Sequence, residues 1–284
     1  MVQHAPVLVI HGGTGFRVSE RRLQQMRRVL SALCARAYGY LQTHSALDAV
    51  TYAVQLLEDQ PLFNAGTGST LQRDGRIRMS ASVMDGASQR FAAVLNIERV
   101  RNPVLVAKCL LPEPDRILAG PEATRFARAH GFHPWQPLTP LSRRRWEERM
   151  RETSDRGTVG AVALDGTGHL AAATSTGGKG FEHPGRVSDS GLPVGNYANA
   201  HAAVSCTGVG EDIVDEALAA RIIQRVSDGQ RLARAFARTF RELKEHRRLA
   251  GAIGLDRVGQ TIWKTTLPVL VAVAQTRARQ VRSF

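Results

Sequence analysis

Thr158 follows Gly157 where a charged segment, residues 143–156, meets an apolar run, Val159–Leu164. If the bond between them is cut, Thr158 gains a free α-amine, with an ordinary pKa of about 7.7–8.0, close to its own hydroxyl. Nucleophile and base then share one residue, which activates a weak hydroxyl. Before the cut, the same hydroxyl can attack the Gly157 carbonyl, and glycine, lacking Cβ, leaves that carbonyl open. The plainer alternative is that Thr158 opens a strand, where β-branched residues are favoured.

Other residues extend this chemistry. Arg186 and Asp189 lie three positions apart. On a surface such a pair is worth little. In a pocket, guanidinium binds a carboxylate bidentately while the carboxylate accepts from an ammonium, which makes a clamp for a zwitterion. Thr207-Gly208-Val209-Gly210 turns into a helix, and backbone N–H groups at such a turn suit an anion or the oxyanion of acyl transfer. Residues 57–67 contain Pro61 and Gly66, which end a helix, and free carbonyls in a compact loop can coordinate a hard cation. Thr176, read alone, is a strand-end hydroxyl.

Seven motifs occur in order: His11-Gly12-Gly13-Thr14-Gly15, Asn64-Ala65-Gly66-Thr67-Gly68-Ser69, Met84-Asp85-Gly86, Gly157-Thr158-Val159-Gly160-Ala161-Val162-Ala163, Ala173-Thr174-Ser175-Thr176-Gly177-Gly178, Gly185-Arg186-Val187-Ser188-Asp189-Ser190 and Cys206-Thr207-Gly208-Val209-Gly210-Glu211. In these the chain resembles the plant-type asparaginase and isoaspartyl peptidase family of N-terminal nucleophile hydrolases. The resemblance implies an α+β fold, a four-layer αββα sandwich, and a single domain over residues 1–284. It also implies a precursor that cuts itself into an α segment, residues 1–157, and a β segment, residues 158–284. Gly157 and Thr158 are then the cleavage site and Thr158 the nucleophile, with Thr176 hydrogen-bonded to it. Arg186 and Asp189 are implied to bind the α-carboxylate and α-ammonium of the substrate, Thr207 and Gly208 to form the oxyanion hole, and Gly210 to lie in the substrate pocket. The main-chain carbonyls of Leu57, Glu58, Gln60, Phe63, Ala65 and Thr67 are implied ligands of a structural sodium ion, and catalysis needs no cofactor. The implied substrate is L-asparagine or a β-aspartyl dipeptide, and the implied assembly is a homodimer of αβ heterodimers.

The match has departures. Ser80 stands where the family usually has an acidic residue. Leu249-Ala250-Gly251-Ala252 replaces a Gly-Gly pair, and Lys264-Thr265-Thr266-Leu267-Pro268 stands where an Asn-Thr segment is usual. The departures bear on the pocket wall and substrate preference.

The elements that must position these residues follow from pattern. Residues 5–10 form an apolar run ending at Gly12-Gly13, a buried strand entering a tight loop. Helical periodicity covers residues 20–41 and 46–57, with Ser45 and Asp48 at capping-box spacing. Strands are expected over residues 69–71, 76–84 and 91–97. A helical stretch spans residues 102–131, a proline-rich loop 133–140, and a short polar tether 143–156. Val159–Leu164 and residues 170–174, joined by Asp165-Gly166-Thr167-Gly168, form a hairpin. A strand at residues 202–206 precedes a helix over 211–227; Gly229 ends it, a basic helix runs to about residue 249, and the last strands occupy 251–273.

Composition sets outer bounds. The net charge is +13, from 38 Lys and Arg against 25 Asp and Glu. Most arginines fall at helical spacing among Leu, Ala and Val, the pattern of solvated faces without nucleic-acid motifs, so specific nucleic-acid binding is not expected. No apolar run approaches the ~20 residues of a membrane span and the start lacks a signal-peptide pattern, which leads to the cytoplasm as the expected location. Cys34, Cys109 and Cys206 are scattered, with no disulfide or zinc spacing, and Cys206 is expected to pack. A small-molecule amidohydrolase acting through Thr158 is the reading that absorbs most of these residues. A glycosylasparaginase, a protein-processing threonine endopeptidase and an uncleaved basic binding protein are the alternatives.

Overall fold

Val7 and Val9 leave the first strand on one side, Leu8 and Ile10 on the other, and all four are buried. A strand covered on both faces needs an apolar layer against each. The computed structural model describes residues 4–15, 19–149 and 157–283. In chain order the elements are β1 (Val7–Gly15), α1 (Glu20–Leu41), α2 (Ala46–Glu58), β2 (Met79–Asp85), β3 (Arg90–Ile97), α3 (Pro103–Cys109), β4 (Ile117–Ala119), α4 (Gly120–Ala129), α5 (Pro140–Arg149), β5 (Val159–Leu164), β6 (Leu170–Thr176), β7 (Asn196–Ala198), β8 (Ala202–Gly208), α6 (Gly210–Asp215), α7 (Leu218–Ser227), α8 (Leu232–Glu245), β9 (Ala250–Asp256), β10 (Thr261–Thr265), β11 (Val269–Thr276) and β12 (Gln280–Arg282). One sheet has the order β12-β11-β1-β5-β6-β2-β3-β4 and the other β10-β9-β8-β7. The chain is a single domain of mixed α+β class.

Alternate residues of each central strand enter different apolar clusters, as the two-residue period of a strand requires. On β5, Ala161 and Ala163 join the cluster under α1 and α2, while Val162 and Leu164 join a second cluster with Ala203 of β8 and Leu255 of β9. That second cluster therefore lies between the sheets. Val204 of β8 and Ala252 of β9 face the other way, into a third cluster with Ile222 of α7 and Phe236 of α8. The start of α2 is fixed from two sides. The Asp48 N–H donates to Ser45 Oγ at 3.1 Å, and the Ala46 N–H donates to Asp165 Oδ2 at 2.9 Å from the β5–β6 turn.

Several expected boundaries move. β1 runs on through Gly12-Gly13 to Gly15 with an irregularity in its pairing between His11 and Thr14, so the glycines form a bulged strand end rather than a loop. Residues 69–71 are not a strand, and the strand expected from residue 76 begins at Met79. The helical stretch at 102–131 is two helices separated by β4, whose backbone pairs with β3 in parallel. The helix expected over 211–227 breaks at Ala217, which adopts φ 46°. Part of the expected tether is α5; residues 150–156 lie outside the described residues, as do Met1 to Gln3 and Arg17.

Glu58, the last residue of α2, is fully buried. Its Oε1 accepts from the Ser175 hydroxyl at 2.7 Å and the Val104 N–H at 3.1 Å, while Oε2 has no partner among the described residues. Burial pushes this carboxyl from its ordinary 4.5 up to about 8, against the hydrogen bonds it accepts. A folded-state pKa above the unfolded one means that the unfolded chain binds fewer protons between the two values. The stabilisation is then complete below about pH 4.5 and is lost as pH rises towards 8. Replacing Glu58 by Gln, neutral at every pH, should leave stability near that of the parent in acid and exceed it by on the order of 1–3 kcal/mol near pH 8. Urea unfolding of both proteins at the two pH values reads this directly; an advantage that did not grow with pH would show Glu58 to be ionised in the fold.

Candidate active site

The apolar layer between the sheets turns polar at one end, and strand parity identifies which side chains do this. His11 continues the series Val7 and Val9; Thr174 and Thr176 continue Leu170 and Ala172; Ser205 and Thr207 continue Ala203. Thr158 and Gly160 precede Val162 and Leu164 in the same register. Across the gap, His11 Nε2 lies 2.9 Å from Ser205 Oγ, which is 2.7 Å from Thr174 Oγ1. His11 is buried, which pushes its pKa down to about 3, with the Thr158 backbone acting weakly in the other direction; the ring is therefore neutral. Gly160 makes the link possible, because a Cβ there would stand 2.5 Å from His11 Nε2 and collide with Ser205 Oγ.

Thr158 sits at the edge of this polar end and is itself buried. Pairing of Val159 with Ser175 and Gly160 with Thr174 carries on to set Thr158 opposite Thr176, and Ser80 pairs with Thr176 from the other side. The hydroxyl partner of Thr158 is Ser190, Oγ to Oγ 3.2 Å, whereas Thr176 Oγ1 accepts from the Gly178 N–H at 3.2 Å. Among the described residues the hydroxyl contact of Thr158 is therefore with Ser190, while Thr176, its expected partner, lies opposite it across the strand pair. Gly157 packs against β1: a Cβ on Gly13, whose φ is +106°, would lie 3.1 Å from the Gly157 carbonyl carbon, and one on Gly157 would run into the Thr14 backbone.

The clamp residues lie on the segment after β6. Asp189 is buried; burial raises its carboxyl to about 6, with Ser188 and the Arg186 charge acting in the opposite direction. Its Oδ1 accepts from Ser188 Oγ at 3.0 Å and its Oδ2 has no partner among the described residues. A Cβ on Gly210 would stand 2.5 Å from Arg186 Nη2 and 2.8 Å from Asp189 Oδ1, so Gly210 keeps the space between the two charges open. Thr207 Oγ1 is likewise buried and unpartnered among the described residues, and Gly208 has φ +140°, where a Cβ would run into the Leu249 carbonyl and Ala250. Asp189 Oδ2 and Thr207 Oγ1 are thus two buried polar atoms left without partners among the described residues, each with capacity to bond a further group.

A family model described as asparaginase matches residues 4–156 and 147–282. The chain belongs to the asparaginase family. An isoaspartyl peptidase/L-asparaginase of Nostoc sp. is 46% identical over 291 residues, covering 95% of this chain and 92% of the relative. One of the same name from Synechocystis sp. is 45% identical, covering 95% and 88%. The isoaspartyl peptidase of Escherichia coli is 41% identical over 89% of this chain and 87% of its own length.

Within this asparaginase-family chain, the departing segments are still built into the site's wall. Thr207 and Gly208 of β8 pair with Gly251 and Ala250 of β9, and Thr266 Oγ1 donates to the Arg248 carbonyl at 2.8 Å and accepts from the Ala250 N–H at 2.9 Å. Ser205, Thr174, Ser190 and the partner of Arg186, Glu211, were assigned no role in the sequence. Strand parity outward from the apolar residues would have found Ser205 and Thr174. Ser190 and Glu211 come from irregular backbone or from the far side of a turn, where no period applies. Among the described residues no group of three or more His, Cys, Asp or Glu could hold a metal ion, and no helix is long and apolar enough to cross a membrane.

Gly160→Ala should destabilise the fold by about 1–3 kcal/mol by overfilling the inter-sheet contact. Adding Ser205→Gly, which removes the nearest obstructing atom, should recover part of that loss in denaturant unfolding. Equal stabilities for all three proteins would mean the His11–Ser205 contact is not tight.

Proposed function

We propose that this chain is a threonine-dependent amidohydrolase that cleaves the side-chain amide of L-asparagine or of β-aspartyl dipeptides and releases L-aspartate. The observation carrying this reading is the placement of Arg186 and a buried, half-partnered Asp189, unpaired with each other, on either side of the gap kept by Gly210. That arrangement suits an α-carboxylate and an α-ammonium on one carbon. Relatives named isoaspartyl peptidase/L-asparaginase, aligned over nearly the whole chain, support the same substrates.

In this reading Thr158 Oγ first attacks the Gly157 carbonyl carbon, the peptide C–N bond breaks to leave an ester and a free α-amine, and water cleaves the ester. The segments of residues 1–157 and 158–284 stay together through the β1–β5 pairing. The amine then takes the Thr158 hydroxyl proton as that oxygen attacks the side-chain carbonyl of the bound substrate. Thr207 and the backbone at Gly208 stabilise the oxyanion, a contribution of about 3–4 kcal/mol per donor in comparable sites. The leaving nitrogen takes a proton and departs, and water releases aspartate. Thr176, beside Thr158 across the β5–β6 pair, orients the freed nucleophile.

Three further parts belong to this proposal. The three apolar clusters support an αββα layering with the site at the open end of the inter-sheet layer. The loop after α2 fits a sodium ion. Among the described residues the Glu58, Phe63 and Thr67 carbonyls accept no backbone N–H, and a Cβ on Gly66 or Gly68 would press on the Glu58 and Phe63 carbonyls. Together with the carbonyls of Leu57, Gln60 and Ala65 they would hold the ion, which braces the loop electrostatically and takes no part in the reaction. The assembly is read as a dimer of cleaved chains.

Denaturing mass spectrometry of purified protein should give two fragments meeting at Gly157 and Thr158, and Thr158→Ala should stay whole and hydrolyse neither substrate. A cut elsewhere, or an active alanine variant, would dispose of the mechanism. Because only ionised Asp189 can hold the α-ammonium, kcat/KM for L-asparagine should fall as pH drops through about 6, by about tenfold per unit well below it. A profile flat through that range would remove Asp189 from substrate binding.

A further inference from the structure

A clamp made of two opposite charges has a built-in weakness: nothing prevents the charges from pairing with each other and leaving no place for a ligand. Arg186 and Asp189 are close enough for this, since one missing Cβ separates them. A second acceptor is also at hand. Glu182 is buried, its Oε2 has no partner among the described residues, and its charge acts on Arg186.

The structure resolves the competition through Glu211. Arg186 Nε donates to Glu211 Oε1 at 2.7 Å and Nη2 to Oε2 at 3.0 Å, a two-point contact along one edge of the guanidinium. No other carboxylate makes an ion pair with Arg186 among the described residues, and its Nη1 donates to none of them. Glu211 lies in the first turn of α6 with its side chain 51% exposed, reaching inward to a guanidinium only 13% exposed. Lys179 Nζ, on the loop after β6, sits 3.3 Å from the same Glu211 oxygen. Arg186 and Lys179 thus stand among Asp189, Glu211 and Glu182, a setting that presents both signs, as a zwitterion needs.

We infer that Glu211 is a positioning residue for the substrate: it holds the Arg186 guanidinium off Asp189, so that Asp189 stays open to the α-ammonium and the Nη1 side of Arg186 to the α-carboxylate. The inference rests on reading Arg186 and Asp189 as the substrate clamp. Without Glu211, Arg186 turns onto Asp189 or Glu182, and both halves of the clamp are lost together.

The test compares the parent with Glu211→Ala and Glu211→Gln, using L-asparagine for turnover and calorimetry with L-aspartate and β-alanine for binding. β-Alanine is aspartate without its α-carboxylate. Glu211→Ala should raise KM about tenfold or more and weaken L-aspartate by a similar factor, with kcat within about threefold of the parent. Glu211→Gln, which keeps one acceptor, should fall between. β-Alanine, which needs only Asp189, should weaken because Arg186 now occupies that carboxylate, and the added substitution Arg186→Met should restore it. Unchanged L-aspartate affinity in a folded Glu211→Ala, or a loss confined to kcat, would overturn the inference. So would β-alanine binding unaffected by Glu211→Ala. Binding needs no turnover, so the two readings separate: if the parent hydrolyses no amide yet the binding pattern holds, the proposed reaction fails and the role of Glu211 stands.

Discussion

The space between the two sheets is dry along most of its length, and the whole arrangement depends on where it stops being dry. Val9, Val162, Leu170, Ala203 and Ile253 exclude water from the layer. At its end the same strands present His11, Thr174, Thr176, Ser205 and Thr207. These groups have lost water and must satisfy one another. His11, Ser205 and Thr174 do so as a chain of hydrogen bonds across the sheets, which ties β1, β6 and β8 at one level. Such a chain of hydrogen bonds holds the strands it joins at that level, with His11 Nδ1 left without a side-chain partner among the described residues. Thr207 Oγ1 and Asp189 Oδ2 likewise have no partner among the described residues.

Glycine serves three separate purposes around this end. Gly160 admits the cross-sheet link, Gly210 keeps opposite charges from being wedged apart or filled in, and Gly13 accepts the Gly157 backbone at close range. In each case the side chain that is missing would have stood where a functional atom now lies. All three of these glycines fall inside the ordered motifs of the sequence.

Much of this was legible before any coordinates. The α1 boundaries follow helical period, the α2 start follows from Ser45 and Asp48, and the β5–β6 hairpin follows from Asp165-Gly166-Thr167-Gly168. The continuation of β1 through Gly12-Gly13 was not, because a bulged strand end and a loop share the same glycines. The break at Ala217 was not either, since alanine carries no signal for a left-handed backbone and tertiary packing imposes it. Motif positions single out Thr158, Arg186, Asp189 and Thr207 as candidates, but motifs name residues without naming their partners. That Arg186 is held by Glu211 rather than Asp189 depends on side-chain geometry across a turn, on which sequence spacing is silent.

The seat of Gly157 on Gly13 is a contact of backbone on backbone, with no side chain from either residue taking part. Such a joint has shape but no grip. It can hold a carbonyl at a set angle while the chain is continuous, and were the chain cut after Gly157 as proposed, it would offer that new end no anchor. Gly157 itself would then leave its seat with no side chain to extract and no strand to displace.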